Sequence, residues 1–170
     1  MRCPNCGNDN IPGSDLCDVC GSDLFGLDHA EAQTDFEGQL MSDHVSDLTM
    51  GPAIVVEGSA TVRSAVERMR RFRHGCVLVQ DGNRLVGIFT ERDLLTRVLL
   101  RGLDPADVAL ADVMTADPWT LSPTDPPAFA IHRMVHQGLR HLPVIEDGEL
   151  LGFVSVRNVL RYIHEDVIGG

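Results

Sequence analysis

The sequence predicts an α+β fold in which one small unit occurs twice after a short segment rich in cysteine. Two observations support the duplication. The motif at Gly87–Asp93 (GIFTERD) has the same form as the one at Gly152–Asn158 (GFVSVRN), and their offset of 65 residues (152 − 87) also relates Val79 to Val144. A fixed, gapless offset marks a repeated supersecondary unit. The chain is therefore expected to contain two tandem repeats.

Each repeat is predicted to run strand, helix, strand, strand, helix. Apolar runs typical of strands alternate with stretches whose apolar residues have helical spacing, and an Asp-Gly pair predicts a hairpin in each copy. One copy cannot bury both faces of so small a sheet, so the two repeats are expected to pack about a pseudo-twofold axis. The predicted strands include 53–56, 76–79 and 85–89 in the first copy and 119–121 and 142–145 in the second.

Four of the five cysteines form two C-x-x-C-G groups, Cys3 with Cys6 and Cys17 with Cys20. Four thiolates in this order suit tetrahedral Zn²⁺, with Zn–S distances near ~2.3 Å. The spacing leaves a pair of disulfides and a rubredoxin-like iron site open as alternatives. The segment resembles the short zinc ribbons found at the ends of many prokaryotic proteins. Four cysteines leave no open coordination position for a catalytic water, so a structural Zn²⁺ is predicted.

The predicted organisation has four parts. A linker follows the cysteines; it is acidic, and its few large apolar residues are spaced as in a helix near residues 36–45. This helix either docks on the module that follows or belongs to a simple tether. The predicted boundaries are 1–24 for the zinc ribbon, 25–45 for the partly helical acidic linker, 46–106 for the first repeat and 107–170 for the second.

The charge distribution narrows the possible partners. The net charge is −11, and ten acidic residues precede residue 51 against one basic residue, Arg2. Such a segment repels polyanions, which argues against nucleic-acid binding. No apolar run approaches the roughly 18 residues that span a bilayer, and the start lacks the pattern of a signal peptide. A cytoplasmic location without membrane contact is expected.

The polar residues of the repeated motif have two interpretations. Thr90 falls where a strand gives way to a helix, so Thr90 and Asp93 can form a capping box worth roughly 1 kcal/mol. The alternative is a ligand site, because a helix start binds phosphate and a nearby carboxylate can accept both hydroxyls of a ribose. The spacing alone leaves both interpretations open.

Two copies of a G-h-h-[ST]-x-x-[DN] motif, each closing a unit of about sixty residues, resemble the tandem CBS domains that pair into a Bateman module. The likeness extends to the run GLRHLPV at Gly138–Val144 and covers the chain from about residue 46 onward. The resemblance implies that the hydroxyl residue of each motif faces phosphate and that the residue three positions later holds the ribose of an adenosine-type ligand. The candidate nucleotide-binding residues are Thr90, Asp93, Ser155, Asn158, Arg140 and His141.

The two copies depart from that family pattern in different ways. Asn158 replaces the carboxylate that holds the ribose, and a neutral amide bonds hydroxyls more weakly than a carboxylate. The first copy has Gly75-Cys76 where the second has Arg140-His141. The second site is therefore expected to be weak or empty.

The expected function is a regulatory sensor that binds AMP, ADP or ATP, with S-adenosylmethionine or NAD as further options, and signals to an unknown protein partner. The resemblance also implies a homodimer. The alternative is a dimeric, non-catalytic scaffold whose zinc ribbon docks a protein or RNA. We find no nucleophile paired with a base, no P-loop and no open metal site in the sequence, so we expect no enzymatic activity.

Overall fold

The structure, a computed structural model, describes residues 1–11, 14–24 and 35–168. Residues 25–34 of the predicted linker lie outside this part. Contacts group the chain into two compact units, which cut across the predicted repeats. The cysteine unit comprises Met1–Thr49, Pro123–Arg140 and Val154–Gly170, and the sheet unit comprises Met50–Ser122 and His141–Phe153. The predicted domain boundaries stay a prediction.

The described residues form the α+β fold that the sequence predicts. A four-stranded sheet has the order β1-β2-β3-β4, in which β1 is parallel to β2 and the other pairs are antiparallel. A two-stranded sheet pairs β5 with β6. The strands are β1 (Val55–Glu57), β2 (Cys76–Asp81), β3 (Arg84–Thr90), β4 (Thr115–Ala116), β5 (His141–Glu146) and β6 (Glu149–Ser155).

Six α-helical elements complete the described chain: α1 (Asp35–Ser42), α2 (Val62–Phe72), α3 (Glu91–Asp93), α4 (Leu110–Val113), α5 (Pro127–Gln137) and α6 (Val156–Tyr162). Helix α3 continues as a π-helix (Leu94–Val98) and a 3-10 helix (Leu99–Arg101), and α6 continues as a π-helix (Ile163–Ile168). A short 3-10 helix (Val45–Asp47) lies at the start of the first repeat. Helix α5 begins at a proline, whose missing N–H has no partner to lose at that position.

Strand β2 is apolar from Cys76 to Val79 because both of its faces are buried there. Val77 and Val79 point to one face and pack with Phe89, α2 and α4, whereas Leu78 on the other face packs against Phe153. All five of these side chains are at most 3% exposed. Phe153 belongs to the second motif, so the second repeat supplies part of the core of the first.

The segment that leads into each repeat pairs with the motif strand of the other repeat. Gly51 exchanges two backbone hydrogen bonds with Phe153, at 3.0 and 3.2 Å. Ala116 in β4, the residue equivalent to Gly51, pairs with Gly87 in β3, which is shifted by one residue from the pair that the offset predicts. This reciprocal pairing lies within the sheet unit and ties the two repeats together.

The predicted strand at 119–121 is wrong. Only Leu121 of that range makes a bridge, to Val144 in β5. Leu121 is the equivalent of Val56 in β1 (56 + 65), and its parallel bridge keeps one pair of the expected strand. Before it the chain turns at Asp117, with a φ of 44°, and Pro118 has no N–H to donate, while β4 is a separate short strand. Position 116 was missed since its pairing depends on the distant residue Gly87.

Helix α1 docks inside the cysteine unit rather than acting as a tether. It packs on α5 and on the π-helix that follows α6. The Tyr162 hydroxyl donates to the Asp43 carboxylate at 2.6 Å, and the backbone N–H of Val45 donates to the carbonyl of Asp125 at 2.8 Å. In the part of the chain that the structure describes, no helix is long and apolar enough to cross a membrane.

Candidate functional site

Thr90 and Asp93 form the capping box that the sequence allows. The Thr90 hydroxyl accepts from the backbone N–H of Asp93 at 3.3 Å, and the Asp93 carboxylate accepts from the backbone N–H of Thr90 at 2.9 Å. The hydroxyl also donates to the carboxylate at 2.7 Å. The capping interpretation is confirmed, and the ligand interpretation stays a prediction.

The Asp93 carboxylate is buried and has further partners that the sequence analysis missed. Its second oxygen forms an ion pair with the Arg97 guanidinium at 3.3 Å and accepts a hydrogen bond from the Thr115 hydroxyl at 3.4 Å. Asp93 is only 6% exposed. A carboxylate has about four acceptor positions, and four donors surround this one. The i, i+4 spacing of Asp93 and Arg97 was a signal in the sequence that could have found this ion pair.

Ser155 and Asn158 form the equivalent capping box at the start of α6. The Asn158 side-chain oxygen accepts from the backbone N–H of Ser155 at 2.8 Å and from the Ser155 hydroxyl. The Asn158 amide nitrogen donates to the backbone carbonyl of Thr49. A carboxylate has no hydrogen to donate at this point, so the structure explains why an amide replaces it.

The carbonyls that Arg97 and Asn158 contact lie at positions related by the 65-residue offset of the repeats. The residue equivalent to Thr49 is Met114 (49 + 65), and its carbonyl accepts from the Arg97 guanidinium, as does the carbonyl of Val113 at 3.1 Å. The residue equivalent to Arg97 is Tyr162 (97 + 65), which has no positive charge. In the first repeat an arginine bridges carboxylate and carbonyls, whereas in the second Asn158 bonds the carbonyl directly.

Arg140 meets the start of α6 through its backbone, and His141 is the first residue of β5. The Arg140 side chain is exposed, and its backbone carbonyl accepts from the N–H of Val156 at 3.1 Å. The His141 ring meets the Phe153 ring edge-on, with 5.7 Å between the ring centroids. It also lies over Gly75, where an added Cβ would come within 3.0 Å of the imidazole. Their role near ligand phosphates stays a prediction.

The four predicted metal ligands converge. The Sγ atoms of Cys3 and Cys20 are 3.6 Å apart, those of Cys6 and Cys17 are 3.5 Å apart, and all four lie within 4.8 Å of one another. These separations are far from the ~2.05 Å of a disulfide and near the about 3.8 Å edge of a tetrahedron with Zn–S bonds of ~2.3 Å. Within residues 1–11, 14–24 and 35–168, this is the only group of three or more His, Cys, Asp or Glu placed to share a metal.

The two cysteine turns have the same backbone geometry. The N–H of Cys3 donates to the carbonyl of Asn8 at 2.7 Å, and the N–H of Cys17 donates to the carbonyl of Ser22 at 2.8 Å. Gly7 and Gly21 close the turns with φ values of 75° and 66°, which glycine adopts without strain. The donor set and its geometry fit a tetrahedral thiolate-bound metal.

The sequence pattern of the CBS domain matches residues 45–100 and 110–165, which together cover most of the chain. The chain belongs to the CBS domain family. It carries a tandem pair of CBS domains. Each capping box lies where a motif strand of that pair ends and the next helix begins. The capping boxes therefore lie where the family resemblance predicts its ligand residues.

Named relatives agree with this assignment. The CBS domain-containing protein CBSCBSPB2 of Arabidopsis thaliana is 33% identical over 117 residues, which is 68% of this chain but 22% of the relative. This chain thus spans about a fifth of that protein's length. The relatives that share this name are described as CBS domain-containing proteins rather than as enzymes.

Two solved structures resemble the chain and contain a ligand. The CBS domain protein PAE2072 of Pyrobaculum aerophilum, complexed with AMP, has a TM-score of 0.66 and 27% identity over 75% of this chain and 100% of that one. CBSX2 in complex with AMP has a TM-score of 0.61 and 26% identity over 72% of this chain and 96% of that one.

Proposed function

We propose that this chain is a regulatory module that binds an adenosine-type nucleotide, with AMP as the first candidate. The observation that carries the proposal is the Thr90–Asp93 pair, which keeps a hydroxyl and a carboxylate at the start of α3 in a family with AMP-bound members. The first repeat provides the principal site. The pair at Ser155 and Asn158 binds weakly or not at all, since its amide already donates to the chain's own backbone.

The contacts of Asp93 suggest how binding becomes a signal. Ribose hydroxyls that donate to this carboxylate must replace existing donors, and the two longest contacts, from Arg97 and Thr115, are the easiest to replace. Arg97 also holds the carbonyls of Val113 and Met114, just before the second repeat's paired segment. Binding therefore loosens Arg97 and shifts the conformation of this segment, which a protein partner reads.

The remaining parts of the proposal concern assembly and metal. Leu95, Leu99 and Leu100 are 52%, 51% and 74% exposed on one helical stretch, and such an apolar face favours a homodimer.

The four cysteines hold a structural Zn²⁺ that supplies folding energy to the N-terminal segment. We place this module in the cytoplasm, with no nucleic-acid partner and no catalytic role.

A thermal unfolding scan with AMP, ADP, ATP, S-adenosylmethionine or NAD tests the nucleotide proposal. At a hundredfold excess over Kd, the bound nucleotide adds about 2.7 kcal/mol, or about 5 to 10 °C for a chain of this size. Asp93→Asn keeps the shape of the side chain but removes its charge, so we expect the shift to vanish in this variant. Asp107→Asn, an exposed change in the same unit, is the matched control and should keep the shift.

Two outcomes would count against the proposal. An undiminished shift in Asp93→Asn would show that the ribose site lies elsewhere. The absence of a shift with any of the five compounds would favour the alternative of a dimeric scaffold, whose N-terminal segment docks a protein or RNA.

A further inference from the structure

The N-terminal cysteine segment, residues 1–24, is bonded to α5 of the second repeat. The Arg133 guanidinium donates to the carbonyl of Pro4, and the Gln137 amide donates to the Asn5 side-chain oxygen at 2.9 Å. All of these residues belong to the cysteine unit. The first cysteine turn therefore has a defined partner in α5.

Arg133 is unusual because it is charged and only 7% exposed. Burying a guanidinium is costly unless opposite charge and hydrogen-bond acceptors compensate for the lost water. Its acceptor, the carbonyl of Pro4, lies between Cys3 and Cys6. Four thiolates around one Zn²⁺ leave a net charge of about −2 at the site. The opposite charges near Arg133 are the buried Asp125 carboxylate and the Cys3 and Cys6 thiols. Arg133 is thus placed to balance the charge of the loaded metal site together with that of Asp125.

Asn5 connects α5 to a metal ligand. Its side-chain nitrogen donates to the Sγ of Cys20 at 3.5 Å and to the Ser22 hydroxyl at 2.5 Å, while its oxygen accepts from Gln137. Asn5 is 4% exposed. Hydrogen bonds to ligand atoms orient those atoms and tune their affinity for metal. A continuous path of hydrogen bonds therefore runs from α5 to the thiolate cluster.

The first repeat contains an internal comparison. The residue equivalent to Arg133 is Arg68 (133 − 65) in α2, which is exposed and donates to the carbonyl of Val55 in its own repeat at 3.0 Å. The residue equivalent to Gln137 is Phe72, which is 52% exposed. Burial of the arginine is therefore specific to α5 and is not a property of the duplicated helix.

We propose that α5 of the second CBS repeat completes the metal site of the cysteine segment from outside the ligand shell, with Arg133 balancing its charge and Gln137 positioning Asn5. This inference rests on the proposed Zn²⁺ site. Because coupling is reciprocal, metal binding also stabilises α5. The metal content of the N-terminal segment then controls the unit that contains Ser155 and Asn158.

Zinc competition against a chromophoric chelator tests the proposal on the full-length chain. We expect Arg133→Met to weaken Zn²⁺ binding by at least about tenfold, as loss of an outer partner does in other metal sites. Gln137→Ala should weaken it by a smaller factor. The matched control Arg68→Met makes the same change at the equivalent position of α2 and should leave the affinity unchanged. Since Gln137 is exposed, its variant remains informative if Arg133→Met fails to fold.

Hydrogen exchange gives an independent readout. Removal of the metal from the natural chain should speed exchange of the amides of α5 and leave those of α2 unchanged. Equal Zn²⁺ affinity in the natural chain, Arg133→Met and Gln137→Ala would overturn the coupling while leaving the metal site intact. A natural chain that binds no Zn²⁺ would overturn both the metal site and the coupling.

Discussion

At the start of α3 the Asp93 carboxylate is paired with Arg97, whereas at the start of α6 the Asn158 amide faces the Thr49 carbonyl without an intervening charge. Both helices keep the same capping box, so the local fold is common to both repeats. The comparison shows that a duplicated motif can keep its structural role in both copies while only one copy retains a carboxylate. The capping contacts therefore do not by themselves identify a binding site.

Alanine substitution of the motif glycines, Gly87 and Gly152, should give the largest difference in stability between the two repeats. A Cβ at Gly152 would lie 2.8 Å from the backbone oxygen of Gly51, which is fixed by pairing with Phe153. At Gly87 an added Cβ meets the flexible side chain of Met114 instead. We expect Gly152→Ala to cost about 3 kcal/mol and Gly87→Ala about 1 kcal/mol in the free energy of unfolding. Denaturant titration of both variants measures the difference, and equal losses would contradict the close backbone approach.

Replacement of the amide at position 158 by an acid should have a smaller effect on the free energy of unfolding. Asn158→Asp places a carboxylate against the carbonyl of Thr49 with no arginine to balance it, so we expect a loss of about 1 to 3 kcal/mol in the free energy of unfolding. Asn83→Asp, an exposed change in the β2–β3 turn, is the control and should change the free energy by less than about 0.5 kcal/mol. Full stability of Asn158→Asp would show that the amide is not needed as a donor.

The last difference between the repeats concerns the reactivity of Cys76, the residue equivalent to His141. Burial, followed by the charge of Glu91, raises the pKa of the Cys76 thiol to about 12. Because the thiolate is the reactive form, we expect alkylation of Cys76 in the folded protein to be at least about a hundredfold slower than that of a free thiol. Mass spectrometry of protein treated with iodoacetamide measures this rate. Rapid labelling at Cys76 would show that this face of β2 opens.

Much of the fold could be predicted because its signals are local. Both hairpins were predicted from the Asp-Gly turns and the offset of 65 residues. The starts of α3 and α6 were predicted from their capping residues. The strand at 119–121 was predicted wrongly because apolar composition outweighed the flanking prolines. The pairing of Ala116 with Gly87 depends on long-range contact and leaves no local pattern.

The candidate sites were predictable to different degrees. The cysteine spacing predicted the four converging thiols, since each pair folds into a local turn. The burial of Arg133 could not be predicted, because an arginine on a helix usually lies in solvent and its partner is more than a hundred residues away in the chain. The partners of Asp93 were only partly predictable, since Arg97 is local and Thr115 is not.

Calorimetric titration of AMP into the zinc-loaded chain tests the central claim, that only the first repeat keeps a working nucleotide site. We predict one AMP bound per chain, with binding lost in Asp93→Asn and retained when Asn158 is replaced by alanine. Two molecules per chain, or binding that survives in Asp93→Asn and disappears in Asn158→Ala, would contradict the account.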